Sequence, residues 1–324
     1  MCSAAAFNIL FSNFLELNNR LMAMAKIIDG KQIAKDFRAE LKKRTQKLYD
    51  QDGIRPGLAV LLVGEDPASA VYVRGKMRAC EEIGFKSIME KLPAEAEEKE
   101  VIDMVEKWNN DPDVHGILVQ LPLPGHIDST KVLLTINPAK DVDGFHPENI
   151  GRLVIGMPGF QPCTPAGIVE LLKFTGVKMK GKHVVVVGRS NIVGKPIANM
   201  LYQKKDYANA VVTICHTGAE DIREYSRRAD VLIVAAGVAE MIKADDVKDG
   251  VVVIDVGMNR VEDKSREKGY RLTGDVDFEA VKEKTSAITP VPGGVGPMTI
   301  AMLMANTFKS ALIHSNLEEK YTEK

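Results

Sequence analysis

From Asp29 onward, apolar residues fall at Ile33, Phe37, Leu41 and Leu48, a spacing that keeps them on one face of a 3.6-residue helix. Residues 58–63 form an unbroken apolar run, as expected of a strand buried on both faces, and 67–83 return to helical spacing. Residues 85–92 alternate like a strand, 95–107 read as an acidic, solvated helix face, and 116–120 form a third buried strand. Strands alternating with helices imply βαβ units and a parallel sheet. A Pro/Gly-rich connector with little periodicity then runs over 138–165, and the domain boundary falls near its end.

The second half repeats the alternation. Strands are expected at 184–187, 210–215, 231–235 and 251–256, with shorter candidates at 272–276 and 287–289. After Pro297 an apolar helix runs through Ala301, Leu303, Met304, Phe308 and Leu312, long enough to cross back onto the first domain. The pattern therefore predicts two α/β domains, 25–165 and 166–296, with 297–324 as a returning C-terminal helix. Residues 1–24 hold several large apolar residues but only Arg20 as a base, which fits neither a signal nor a transit peptide. They are expected to be an ill-ordered leader or an over-extended start, with Met22 and Met24 as later starts.

Composition narrows the function classes. A chain of 324 residues suits two domains, and a formal charge of −1 gives no electrostatic case for nucleic acid or anionic membranes. The four cysteines are scattered, with no C-x-x-C pair, and the histidines lack ligand spacing. Free thiols in a reducing cytoplasmic compartment and no metal site are expected.

The richest stretch is 183–196, His-Val-Val-Val-Val-Gly-Arg-Ser-Asn-Ile-Val-Gly-Lys-Pro. A β-branched run ends at Gly188, and Gly194-Lys-Pro196 opens a helical pattern, so a strand, a tight turn and a helix N-terminus follow one another. Such a turn suits a pyrophosphate, although Ser190 stands where G-x-G-x-x-G has its second glycine; an ordinary αβ turn would look the same. The next strand ends at Cys215-His-Thr217 without the acidic residue that meets a ribose 2′-hydroxyl, and Arg189 lies in the turn. Charge logic favours NADP over NAD, unless Arg189 is simply a surface charge.

In the first half, Tyr72 and Lys76 share a helix face at i and i+4, either a cleft pair or a surface pair. Gln120 ends a buried strand, where ligands of open α/β folds sit. Asp141-Val-Asp143-Gly144 is either a site or an Asx-capped turn. Residues 288–299, dense in Pro292, Gly293, Gly294, Gly296 and Pro297, read as a ligand-cradling loop, a stiff hinge, or both.

Taken in order, Tyr72-Val-Arg-Gly-Lys76, Val119-Gln-Leu-Pro-Leu-Pro124, Lys140-Asp-Val-Asp-Gly144, Pro162-Cys-Thr-Pro165, Gly188-Arg-Ser190, Gly274-Asp-Val276 and Pro290-Val-Pro-Gly-Gly-Val-Gly-Pro-Met-Thr299 closely resemble the bifunctional methylenetetrahydrofolate dehydrogenase/cyclohydrolase family in its stand-alone form. The resemblance implies a Rossmann-like second domain and an active cleft between the domains. It implies oxidation of 5,10-methylenetetrahydrofolate by NADP, then hydrolysis of the methenyl cation to 10-formyltetrahydrofolate. By resemblance Lys76 is the main catalytic residue, Tyr72 positions it and stacks near the folate, and Gln120 tunes it. Asp143 anchors the pterin. Val119, Leu121 and Pro292, Gly293, Gly294, Val295 and Gly296 line the folate site. Gly188, Arg189, Ser190, Thr217 and Met258 hold the cofactor, and the family predicts a homodimer.

A free lysine titrates at about 10.4, so a base near pH 7 needs a downward shift of roughly 3 units, about 4 kcal/mol. Desolvation and a cationic methenyl intermediate both push that way. A dehydrogenase that has lost hydrolysis would not need Tyr72, Lys76 and Gln120 intact. A non-catalytic sensor would not need Lys76 and Asp143. A dehydrogenase for another carbonyl acid would explain the glycine turn but not Gln120, Asp143 and Gly293 together.

Overall fold

In the computed structural model the described residues are 27–267 and 269–321. The expected leader, 1–24, lies outside them. The chain divides into two compact units. One holds Lys35–Cys163 and the chain from Ile300 onward; the other holds Thr164–Thr299 and the stretch that ends at Ala34.

The first unit is built from α1 (Gly30–Asp52, most of it), β1 (Gly57–Val63), α2 (Pro67–Ile83), β2 (Lys86–Leu92), α3 (Glu98–Asn109), β3 (Gly116–Val119), α4 (Ser129–Thr135) and α5 (Pro147–Val154). Its sheet is parallel, in the order β2-β1-β3, with Leu58 opposite both Ser87 and Gly116. Every residue of β1 and β3 is buried, which is why both read as continuous apolar runs. Trp108, Val101 and Val105 of α3 pack with Leu61, Val63, Ile117 and Val119 in one core. Asp66 caps α2 by accepting the Ser69 N–H, Pro67 opens the helix, and Gly84 at φ 82° ends it. That helix carries Tyr72 and Lys76.

The connector expected to lack periodicity contains α5. The reason is local: Pro147 presets the first turn, the His146 ring accepts the Glu148 N–H, and Asn149 and Leu153 are buried one turn apart.

The second unit comprises α6 (Cys163–Phe174, from Thr164), β4 (His183–Val187), α7 (Gly194–Leu201), β5 (Val211–Cys215), β6 (Val231–Val234), β7 (Val251–Asp255), β8 (Asn259–Glu262), β9 (Tyr270–Thr273), β10 (Thr285–Ile288) and the start of α8 (Val295–His314). Five parallel strands pair in the order β10-β7-β6-β4-β5, so β5 is an edge. The short candidate at 272–276 is instead part of an antiparallel hairpin, β8–β9, with Asn259 opposite Thr273. Its outward charges hid the alternation. α8 begins at Val295, two residues before the expected start, because Pro297 is tolerated within a first turn. No helix among the described residues is long and apolar enough to cross a membrane.

Candidate active site

Lys76 is 9% exposed, and its Nζ donates to Gln120 Oε1 at 3.0 Å. Gln120 follows β3 directly, with its backbone N–H on Leu61 O. Its Nε2 donates to Leu121 O at 2.7 Å, which turns the amide oxygen toward the lysine. Burial pulls the Lys76 ammonium below the ordinary lysine range, with the Asp143 carboxylate opposing it. Asp143 is half-buried; burial pushes its carboxyl up, Lys76 pulls it back, and the Asp141 charge adds to the rise. Tyr72, one turn before Lys76 on α2, is 42% exposed.

The two aspartates of the 141–144 motif divide their work. Asp141 accepts N–H groups of Gly144, Phe145 and His146 and the Asn149 amide, so it is the capped turn. Asp143 acts on Lys76 through its charge. Lys140 is structural, donating to Trp108 O in the last turn of α3 and to Asp111 O just beyond it. Asn306, which no sequence motif singled out, and Cys163 of the 162–165 motif hold this loop. Asn306 of α8 donates to Val142 O at 2.8 Å and Gln161 O at 3.0 Å. Fully buried Cys163 donates to Val142 O at 3.2 Å, and burial drives its thiol well above the usual range. Val119 places its side chain in the apolar core, leaving only its backbone for a ligand; Leu121 packs against the same core.

The remaining folate-lining candidates lie in the second unit. Pro292 is exposed, Gly293 and Gly294 are buried, and Gly296 is half-buried. Gly293 has φ 114° and accepts the Lys31 N–H at 3.0 Å. Val295, 4% exposed, is the first residue of α8 and not part of the loop.

At the end of β4, Gly188 has φ 122°, and a Cβ there would stand 2.2 Å from Ala235 O, so only glycine fits. Ser190 Oγ accepts the Val193 and Gly194 N–H groups, capping α7. Thus the residue in place of the second glycine has its own task. Arg189 and Thr217 are exposed, and Met258 is 44% exposed.

His216, not picked out from the sequence, precedes Thr217 in the chain and faces Arg189. Its Nδ1 accepts the Gly218 N–H at 3.0 Å, so the ring proton belongs on Nε2. Arg189 Nη1 lies 3.4 Å from that Nε2. A guanidinium only donates, so two N–H donors face one another and call for an acceptor. An anionic oxygen answers both. Asp221, the nearest downstream acid to β5 after Glu220, is occupied by Arg223 at 2.8 Å.

The profile of the tetrahydrofolate dehydrogenase/cyclohydrolase catalytic domain matches residues 28–143, and that of the same family's NAD(P)-binding domain matches 162–315. The bifunctional protein FolD of Syntrophobacter fumaroxidans is 54% identical over 293 residues, 90% of this chain and 99% of the relative. The crystal structure of the bifunctional FolD methylenetetrahydrofolate dehydrogenase/cyclohydrolase from Campylobacter jejuni is 49% identical, with a TM-score of 0.83 over 88% of this chain and 98% of that one. The Trypanosoma brucei N5,N10-methylenetetrahydrofolate dehydrogenase-cyclohydrolase, solved with NADP cofactor and inhibitor, is 39% identical, with a TM-score of 0.84 over 89% and 97%.

Proposed function

This chain belongs to the tetrahydrofolate dehydrogenase/cyclohydrolase family, and from that premise we propose which of its residues carry each reaction. It is a bifunctional enzyme that oxidises 5,10-methylenetetrahydrofolate with NADP and hydrolyses the 5,10-methenyl product to 10-formyltetrahydrofolate. The single observation that carries the assignment is the buried Lys76 amine, 3.0 Å from a neutral amide oxygen and under the field of Asp143.

Bound NADP supplies the hydride acceptor. The protein's part in that step is to hold the methylene carbon in place and tolerate the cation that develops. Hydrolysis needs more. Lys76, held below its ordinary pKa by burial, takes a proton from the attacking water. The same proton passes to the ring nitrogen as the carbon–nitrogen bond breaks, and the hydroxyl proton leaves as the formyl group forms. Gln120 fixes the amine through its oriented Oε1, and Asp143 accepts N–H donors of the pterin. Tyr72 covers the folate one turn away, with Leu121 and the Val119 backbone as further lining.

On the cofactor side, Gly188 and Ser190 shape the phosphate turn and Met258 packs on the dinucleotide. The facing donors of Arg189 and His216, with Thr217 beside them, fit a 2′-phosphate. Arg189→Ala should raise the KM for NADP about 10- to 100-fold, as loss of a charged hydrogen bond implies, and leave that for NAD nearly unchanged. Equal effects on both cofactors would remove Arg189 from the 2′-phosphate.

The decisive test is Lys76→Gln. Hydrolysis of methenyltetrahydrofolate should fall by at least ~10³-fold while folate binding persists, within the range for losing a general acid–base group. Hydrolysis at the parent rate would sink the role. The homodimer reading is supported by edge strand β5, where Val211 is 62% and Ile214 40% exposed. Sedimentation at monomer mass would remove it. The buried free thiols Cys80, Cys163 and Cys215 suit the cytoplasm, and export of the native protein across a membrane would contradict that placement.

A further inference from the structure

Neither reaction gives a task to Gly274-Asp275-Val276, yet this segment reaches the edge of the sheet where β6 and β7 end, at Val234 and Asp255. Ligands of open parallel sheets bind beyond those carboxyl ends. Asp275 is fully buried. Its Oδ2 accepts the Ala236 and Gly237 N–H groups at 2.7 and 2.8 Å, and its Oδ1 accepts Asn259 Nδ2 at 2.8 Å. Asp255, 3% exposed, accepts the Gly257 and Asp275 N–H groups on Oδ1 at 3.0 and 2.9 Å, and Val276 N–H on Oδ2 at 3.0 Å. Donors from three chain segments therefore end on two carboxylates.

The fit is close. A Cβ on Gly274 would stand 1.8 Å from Asp255 Oδ2, and one on Gly257 would stand 2.2 Å from Asp275 Oδ1. Met258 lies between Gly257 and Asn259, both bonded to the carboxylates, and it remains 44% exposed. A side chain meant only for packing would not be offered outward from so rigid a base.

We propose that Asp275, backed by Asp255, is a positioning residue of the dinucleotide site: it holds segments 236–237 and 257–259 in the shape that presents Met258 to the cofactor. This rests on the reading of Met258 as a residue that packs on NADP. Removing one acceptor oxygen leaves an amide donor facing the donors it once satisfied, so the segments must shift.

The test compares Asp275→Asn, Asn259→Ala and Met258→Ala in the full-length enzyme. Two quantities are read: the KM for NADP, and the rate of methenyltetrahydrofolate hydrolysis without dinucleotide. Asp275→Asn should raise the KM for NADP about ten-fold or more, and the hydrolysis rate should stay within about two-fold. Parallel loss of both activities would make the pair merely structural and overturn the proposal. So would an unchanged KM in Asp275→Asn beside a raised one in Met258→Ala, which keeps the Met258 reading and discards the positioning role. A silent Met258→Ala removes the reading itself, and the proposal with it. Should Asp275→Asn fail to fold, Asn259→Ala decides alone, since it deletes one hydrogen bond at the start of β8.

Discussion

Lys76 and Lys173 are both buried helix lysines, 9% and 5% exposed, and they meet different partners. Lys173 Nζ contacts Glu170 Oε1 at 2.7 Å, three residues back on α6, and lies 5.1 Å from the Tyr207 ring centroid. Lys76 instead meets an amide oxygen contributed from beyond β3, and a carboxylate acts on it through space. Burying a lysine costs free energy in either place. Direct contact with a carboxylate turns that cost into an ion pair that fixes geometry. A neutral amide leaves the amine able to give up its proton and take one back. Burial of a lysine is therefore no mark of chemistry; the partner decides.

Exchanging the two lysines for neutral residues should separate these roles most sharply. Lys76→Gln should stop hydrolysis and barely move the melting temperature. Lys173→Met should do the reverse. It leaves Glu170 buried without its partner, a loss of about 3–5 kcal/mol in stability. The fraction that folds should hydrolyse methenyltetrahydrofolate at the parent rate. Thermal denaturation and the ultraviolet hydrolysis assay on both proteins check this, and a catalytic defect in folded Lys173→Met would erase the contrast.

A smaller effect concerns the field on Lys76. Burial lowers its pKa and Asp143 opposes that, so the neutral amine gains population as pH rises through a value below 10.5. Asp143→Asn removes the opposing charge. The inflection in hydrolysis rate against pH should then move to lower pH, in addition to any rise in KM for folate. An inflection that stays in place would mean that Asp143 does not act on the amine.

How much of this was legible in the sequence varied with the kind of interaction. Buried strands announced themselves through β-branched runs such as 184–187, and Ile33, Phe37, Leu41 and Leu48 all proved buried on one helix face. Tyr72 and Lys76 could be placed on one helix face and Gln120 at a strand end, but spacing alone left the pair open between cleft and surface, and only the family resemblance gave the three residues roles. Which aspartate of the 141–144 motif caps the turn could not be read, since both suit a turn; four donors on Asp141 decide it. Asn306 is separated from its partner Val142 by 164 positions, and nothing local marks it. His216 acquires meaning only when Gly218 fixes its proton and Arg189 faces it. Strand β8 was missed because residues 259–262 alternate half-buried and exposed with Val261 as their one apolar residue, too little to reveal the period.

The weakest effect expected is a pH slope in stability that belongs to the ion pair and spares Lys76. Burial raises the Glu170 carboxyl above 4.5, and contact with Lys173 only partly reverses it. The folded chain then keeps a proton that the unfolded chain has lost, so this stabilisation is complete at low pH and fades as pH rises through the folded value. Asp255, pushed from 3.8 up to about 7 by burial, acts in the same direction across that window. Each such group lowers stability by at most about 1.4 kcal/mol per pH unit within its own window. Glu170→Gln should remove one share of the fall and leave the share of Asp255, read as a shallower loss of urea midpoint with rising pH. Should the slope be unchanged, Glu170 would be ionised in the folded protein throughout, and the pair on α6 would be an ion pair at every pH where the chain is folded.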